Sequence, residues 1–490
     1  MKRTLTTITA LLFALAAFAQ GAVDACLFSQ TYYQGTAKAL GMGNAMGAVG
    51  GDMTAASINP AGLGIYRSSE VTTTFSLMDN YNASTYYGTQ DGANKFRFSI
   101  PNVGFVGTKE KSNYRPLRFV QFGIWLTRTN DFNQHTLSRG INPTSSKIDS
   151  YLAQINMDDY PPNELKDAFP YNIYPAWSTY LIDLYQGETG PYYDSPVPQG
   201  NIWQTQENEF KGRNEAWTFA GGFNYFDKLY LGLSLDLTHI KRVGTKTFTE
   251  TPLSGTETDF NEWHFKEDLS SRAIGVNAKV GLIYHANSWL RLGAAFHSPT
   301  VYSFDEKWQT ETESQIVMVT NKSLSPESSY EYVFISPLKW VGSLAFIVDQ
   351  RGMISLDAEY ANYGANYVGF HTSSEDDDYY TPTNDLIKET YGRTLNFRLG
   401  SEWRVSDSYL RVGVGYYGSP FGLGKTGGSV KKASCGLSVP VSKTISFDFA
   451  YELTYGKSYQ FLYDAGDLDI EPVTQKQFKN LVAATFKVRF

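Results

Sequence analysis

The chain has 490 residues, 42 basic and 49 acidic, and a net charge of −7 at neutral pH. Aromatics reach 15%, apolar residues of all kinds 42%, and glycines number 43. That balance excludes the basic footprint of a nucleic-acid binder, and it suits strands with one polar and one apolar face better than buried helices.

Residues 1–19 read as a secretory signal peptide: Lys2 and Arg3, an apolar run from Leu5 to Phe18, and Ala17-Phe18-Ala19 as cleavage site. The mature chain is then expected to begin at Gln20. A lipoprotein reading of Val23-Asp24-Ala25-Cys26 is weaker, because an Asp sits in the box. Cys26 and Cys435 form neither a disulfide framework nor a metal-site spacing, and both are expected as unpaired thiols. Beyond the signal no run of 18 apolar residues occurs, so insertion into a membrane requires a barrel.

A stretch dense in small residues follows, from Gly41 to Gly64, with almost no charge and a turn signal at Asn59-Pro60. It cannot form a core of its own and needs a host around it. From Glu70 onward, period-two alternation repeats along the chain. In Thr444 to Tyr455, Ile445, Phe447, Phe449, Tyr451, Leu453 and Tyr455 share one face, and Asp448 and Glu452 lie on the other. Strands are expected near 70–78, 95–107, 118–128, 214–226, 229–250, 262–286, 289–312, 331–348, 352–362, 392–405, 409–418, 428–440, 444–456 and 474–490. The connections alternate between short and long. A soluble sandwich has no reason to obey that alternation, whereas an outer-membrane barrel has tight periplasmic turns and longer extracellular loops. The terminal Phe490 resembles the C-terminal signal of such barrels.

The expected fold is therefore all-β: a transmembrane antiparallel β-barrel of about 14 strands, with an N-terminal hatch (plug) segment in the lumen. Residues 20–69 are assigned to the hatch and 70–490 to the barrel, with a long extracellular loop at 129–213. In that loop Tyr174 to Gln186 reads as an amphipathic helix, and Lys147 to Ile155 as a weaker one. Trp177, Tyr180, Leu181 and Leu184 are candidates for an extracellular binding surface, or for residues that pack the loop on itself. An empty lumen of this width would leak, which gives the small-residue stretch its purpose.

Gly41-Met42-Gly43-Asn44-Ala45, Gly50-Gly51-Asp52 and Asn59-Pro60-Ala61-Gly62-Leu63 resemble the FadL/TodX family of outer-membrane transporters of hydrophobic compounds. The following Tyr66-Arg67-Ser68-Ser69-Glu70 is similar to its Bacteroidetes-type branch. The resemblance implies a hatch plugging a fourteen-stranded barrel. It implies passive uptake of hydrophobic small molecules, long-chain fatty acids or similar lipids and aromatics, past that hatch. Gly41, Met42, Gly43, Asn59, Pro60, Ala61 and Gly62 become candidates for the ligand path, with Asn59-Pro60 also readable as a simple closing turn. The family is known for a kinked strand that opens a lateral exit. Pro101-Asn102 is a candidate for that kink, or for an ordinary bulge, since proline cannot donate to a ladder.

No phosphate loop, His-Glu-x-x-His or Gly-x-Ser-x-Gly is present, so no enzyme is expected. The six histidines are scattered without ligand spacing, and no metal or cofactor is expected. His297, in phase with the lumen face, reads as a polar rim residue. The acidic run Glu375-Asp376-Asp377-Asp378 reads as a solvated loop tip. The competing readings are a non-transporting barrel serving protein secretion, as scaffold or shuttle, and a haem receptor. Expected partners are a hydrophobic ligand, outer-membrane lipid and lipopolysaccharide, and the barrel-assembly machinery. The protein is expected as a monomer in the outer membrane of a Gram-negative bacterium.

Overall fold

The computed structural model describes residues 24–490 apart from 112–114, 158–159, 189, 257, 350, 371–378, 424–426, 464–467 and 469. The signal segment and the acidic run at 375–378 lie outside the described residues. One sheet contains nineteen hydrogen-bonded segments. Joined across five interruptions, they make fourteen antiparallel strands. β1 is Glu70–Tyr86, β2 Thr89–Glu110, and β3 Leu117–Asp131 continued by Gln134–Asn142. β4 is Ile202–Tyr225, β5 Leu229–Pro252, β6 Phe260–His285, and β7 Leu290–His297 continued by Val301–Ile316. β8 runs through Val319–Leu324, Ser328–Ile335 and Lys339–Val348, and β9 is Gly352–Asn362 with Tyr367–Gly369. β10 is Arg393–Val405, β11 Ser408–Tyr417, β12 Val430–Pro440, β13 Ile445–Gln460 and β14 Val473–Arg489. β14 returns to β1 with Glu70 opposite Arg489 and Thr85 opposite Thr474, which closes the barrel.

The period-two pattern decides which way each side chain points. On β13, Phe447, Phe449, Tyr451 and Leu453 are 36%, 45%, 40% and 37% exposed, while Asp448 and Glu452 are 1% and 2% exposed. The same holds around the wall, with Phe98, Phe122, Trp217, Leu233, Trp340 and Val412 outward and exposed. An apolar band of that extent is stable only against lipid, and closure removes the sheet edges that lipid could not satisfy. Among the described residues no helix is long and apolar enough to cross a membrane; the crossing is made by strands.

The inward face is polar and paired. Arg398 meets Glu359 at 3.0 Å, Lys432 meets Glu452 at 2.7 Å, and Lys279 meets Asp236 at 2.6 Å. Asp448 bridges Arg411 and Lys487 at 3.2 and 2.9 Å. Leaving one of these ions without its partner would cost about 3–5 kcal/mol, so they hold a single arrangement of the lumen.

Three connections differ from the sequence reading. The expected loop at 79–94 is strand: β1 and β2 pair up to Tyr86–Thr89, and Tyr87 and Gly88 make the turn at φ +42° and +78°. Asp79, Asn80, Asn82, Asp91 and Lys95 hide the alternation because this part of the hairpin meets polar partners on its inner face. Similarly, Ile316 and Val319 join β7 and β8 through a tight turn inside the expected loop at 313–330. The loop at 129–213 is largely ordered, since it begins with the end of β3 and ends with the start of β4.

Between them lies a cap with α1 at Lys147–Met157, α2 at Leu165–Ala168 and α3 at Ile173–Ser178, followed by a hairpin of Asp183–Gly187 with Gly190–Asp194. Its core, including Ile148, Ile155, Phe169 and Leu181, packs on Phe248, Phe260, Trp263 and Phe265 of the barrel rim. The helix expected over Tyr174 to Gln186 stops early. Tyr180 takes a φ of +61°, which a right-handed helix cannot continue through, and Leu181 and Ile182 beyond it turn into the cap core.

Burial pushes the Asp149 carboxyl of the cap up to about 6 from 3.8. The stability it contributes is complete below pH 3.8 and lost as the pH rises through about 6. Lys147, buried against Phe248 and Phe265, is pushed down to about 8, and its penalty is relieved only above that pH. The cap is thus expected to unfold at a lower temperature near neutrality than at about pH 4, as followed by near-UV circular dichroism. An unchanged midpoint would contradict this placement of Asp149.

Candidate functional site

The N-terminal segment fills the lumen. Residues 24–29 form a helical turn, and short helices follow at Ala37–Gly41 and Met53–Ile58. A 3₁₀ turn at Pro60–Ile65 then leads into β1. Thr36 and Asp52 cap the two helices, and the Thr36 hydroxyl donates to Asp52 at 2.7 Å, tying one to the other. Small residues are required because main chain docks on main chain. A Cβ on Gly413 of β11 would lie 2.2 Å from Gly43 N, and one on Gly232 of β5 would lie 2.1 Å from the carbonyl carbon of Pro60. Glycine is the side chain that leaves room for such contact.

Wall side chains then bind the segment's backbone groups. Asp357 of β9 accepts from Met46 N and Gly47 N at 3.1 and 3.0 Å. Lys279 donates to Ser57 O at 2.8 Å and Arg291 to Val49 O at 3.4 Å. His297 is buried with Nε2 2.8 Å from Ile58 O, so it anchors the segment and is not a rim residue. Asn59 caps the 3₁₀ turn by accepting from Ala61 N at 3.1 Å, while its amide donates to Gly47 O and Leu282 O at 2.7 and 3.1 Å. One side chain thus closes the turn, ties it to the Gly47 loop and fixes both to β6. Gly41, Met42, Gly43, Pro60, Ala61 and Gly62 are buried in the same interface. Cys26 is buried in this segment and Cys435 is exposed on β12; neither is in a disulfide.

The second feature is a seam in the wall. Between β1 and β2 the register passes from Thr74–Asn102 to Ser76–Ser99, leaving Ile100 and Pro101 in a bulge. A bulge is where a closed sheet tolerates a residue without an N–H. At the same level the β2–β3 ladder ends: it runs from Glu110–Phe119 to Asn102–Thr127 and, among the described residues, no further. The Asn102 amide closes that last pair, donating to Leu126 O at 2.8 Å and Thr127 Oγ1 at 3.1 Å. Beyond it β3 pairs with β4 on one edge, while on the other Gln34 N and Tyr32 N of the N-terminal segment donate to Arg128 O and Thr129 O at 2.9 and 2.6 Å.

Side chains take over where the backbone stops. Arg97 meets Asp131 at 2.9 Å, Arg139 meets Asp91 at 2.6 Å, and Lys95 meets Glu209. Asn80 and Asn82 of β1 donate to the carbonyls of Asn133 and His135 at 2.7 and 2.8 Å. Phe96 and Phe98 point outward beside the seam, 65% and 60% exposed.

The cap residues singled out by sequence are not brought together as one exposed surface. Leu181 is buried in the cap core, Trp177 and Leu184 pack at its margin, and Tyr180 alone is well exposed, at 61%. Conversely, sequence reasoning missed Asp357, Lys279 and the wall glycines. The available signal was glycine at inward-phase positions of otherwise strong strands, such as Gly232, Gly281, Gly400 and Gly413.

No protein-family model matches the chain, and no curated protein matches it by sequence. The fold is shared with solved barrels. The toluene transporter TodX of Pseudomonas putida aligns at 13% identity and a TM-score of 0.54, over 94% of this chain and 98% of its own. A Pseudomonas aeruginosa FadL homologue aligns at 12% and 0.58, over 94% and 99%. The toluene transporter TbuX of Ralstonia pickettii gives 14% and 0.52, again over 94% and 99%. At these identities the likeness is one of fold.

Proposed function

We propose that the chain is an outer-membrane channel of the FadL/TodX kind, taking up hydrophobic small molecules passively past an N-terminal hatch and releasing them sideways. One observation carries this reading: the lumen is filled by a docked segment, and beside it the described residues show no β2–β3 backbone ladder above Pro101. A solute that leaves a blocked lumen needs an opening in the wall. A ladder replaced by side-chain contacts is the weakest place to make one, because the Arg139–Asp91 and Lys95–Glu209 pairs are partly open to solvent and such pairs are worth only about 0–1 kcal/mol each. Phe96 and Phe98 offer the emerging molecule an apolar surface at the lipid boundary. The sharing of fold with two toluene transporters and a FadL homologue supports the same reading.

A Gram-negative host without such a channel, expressing this chain, is expected to take up radiolabelled alkylbenzenes or alkylphenols several-fold faster. Its uptake of hydrophilic sugars should be unchanged. Equal uptake of the hydrophobic probes with and without the chain would refute the proposal.

A further inference from the structure

The inner wall of β4, β5 and β6 is polar where the N-terminal segment covers it, and there the two surfaces do not match. Thr218, Ser234 and Asp236 are 1%, 3% and 1% exposed. Among the described residues, Thr218 Oγ1, Ser234 Oγ, Asp236 Oδ1 and Asn277 Oδ1 are buried without a hydrogen-bond partner. The four are neighbours. Thr218 stands opposite Asp236 in the β4–β5 ladder, Asp236 stands opposite Asn277 in the β5–β6 ladder, and Ser234 lies two residues along the same face.

Buried polar atoms without partners are costly, and a cluster of them calls for an explanation, a bound molecule that satisfies them being one. Elsewhere on the wall the segment's own backbone finds side-chain acceptors. There Asp357, Ser434 and Thr485 accept from the segment's Gly47, Gly43 and Ala37 N–H groups at 3.0, 3.1 and 2.7 Å. At Thr218, Ser234, Asp236 and Asn277 the segment supplies no such partner, although Asn59, Pro60 and Gly64 dock closely on β4–β6 alongside.

The chemistry of the orphaned atoms defines what would satisfy them. Asp236 and Asn277 present acceptor oxygens; the Asn277 amide nitrogen is already given to Thr300 at 2.9 Å. Thr218 and Ser234 present hydroxyls, which both donate and accept. Lys279 offers little to an anion, since it is held by Asp236 Oδ2 at 2.6 Å and by Ser57 O at 2.8 Å. A hydroxyl group suits this set, donating to one oxygen and accepting from another. A carboxylate would set further acceptors against Asp236.

The patch also has an apolar side. Gly275, opposite Thr238 on β5, lies under the Tyr302 ring, where a Cβ would meet the ring at 2.4 Å. Tyr302 stacks on Phe334 at 5.9 Å, and Phe28 of the N-terminal segment lies 4.9 Å from Phe304 in the same cluster.

We propose that this sector binds the hydroxyl-bearing end of an otherwise apolar molecule, such as an alkylphenol or a long-chain alcohol, which replaces the N-terminal segment there. The proposal rests on the uptake reading above and supplies its substrate class. Three probes of one skeleton test it: para-propylphenol, propylbenzene and para-propylbenzoate, taken up by cells carrying the wild-type chain or the Thr218→Val/Ser234→Ala variant.

The wild type is expected to favour the phenol over the benzoate. The variant should lose about tenfold on the phenol while propylbenzene is unchanged. Its melting temperature should equal or exceed the wild type's, because only unpaired groups have been removed. If the double variant fails to fold, Thr218→Val alone, of the same shape, is expected to lose about threefold on the phenol. Unchanged phenol uptake, or an equal fall for phenol and hydrocarbon, would overturn the proposal. A wild type that takes up none of the three would refute the uptake reading instead.

Discussion

Replacing Gly413 by leucine is expected to unseat the hatch and leave a barrel that conducts ions. The glycine lies on the inner face of β11, and any side chain there would enter the space of Met42 and Gly43, with contacts of 2.2 and 2.3 Å already at Cβ. Something has to yield. The wall cannot do so cheaply, because β11 is paired on both edges along its length, from Asn396–Tyr417 on one side to Tyr409–Ser438 on the other. The hatch is held only by non-covalent contacts to the wall and by its single covalent link to β1. Overpacking of this kind costs about 1–3 kcal/mol, comparable with the few hydrogen bonds that hold Gly43 and its neighbours.

The wild-type barrel in a planar bilayer is expected to show no stable conductance, and Gly413→Leu to show steps of a wide pore. Gly342→Leu is the control. That glycine faces outward with nothing within 4 Å, and its replacement should leave the barrel sealed. A Gly413→Leu barrel that stays sealed would mean that the hatch is not seated as described.

The barrel was legible in the sequence because one force shapes it all the way round. Lipid outside and a polar lumen inside impose a period of two, and the strands expected near 229–250, 262–286 and 474–490 appear as Leu229–Pro252, Phe260–His285 and Val473–Arg489. The pattern failed where polar residues crowd a strand whose inner face meets polar partners. Asp79 to Asn94 reads as a loop for that reason, although it is the tip of the first hairpin. The cap was misread for another reason. Trp177, Leu181 and Leu184 have helical spacing, but the tight turn at Tyr180 redirects the chain so that Leu181 and Ile182 enter one core.

The Gly-rich stretch was visible as something needing a host, yet its partners were not. Asp357 lies 310 residues from Gly47, and no local pattern announces that a carboxylate will meet a backbone amide so far away. The site beside Pro101 is intermediate. A proline in a strand signals a bulge, but that the ladder to β3 ends at the same level depends on how β3 turns toward β4.

That seam is also where the second large effect is expected. If molecules leave through the wall above Pro101, pinning β2 to its neighbours there should stop them without touching the lumen or the hatch. Lys95 and Glu209 face each other across the seam and pair with each other, not with the N-terminal segment. In a Cys26→Ala/Cys435→Ser background, Lys95→Cys and Glu209→Cys can be joined by a short thiol-cleavable cross-linker. The most direct measurement is uptake of labelled propylbenzene by cells carrying this variant, before joining, after joining and after cleavage. The account predicts a fall to the level of cells without the channel on joining and full recovery on cleavage; unchanged uptake through a fully joined seam would contradict it.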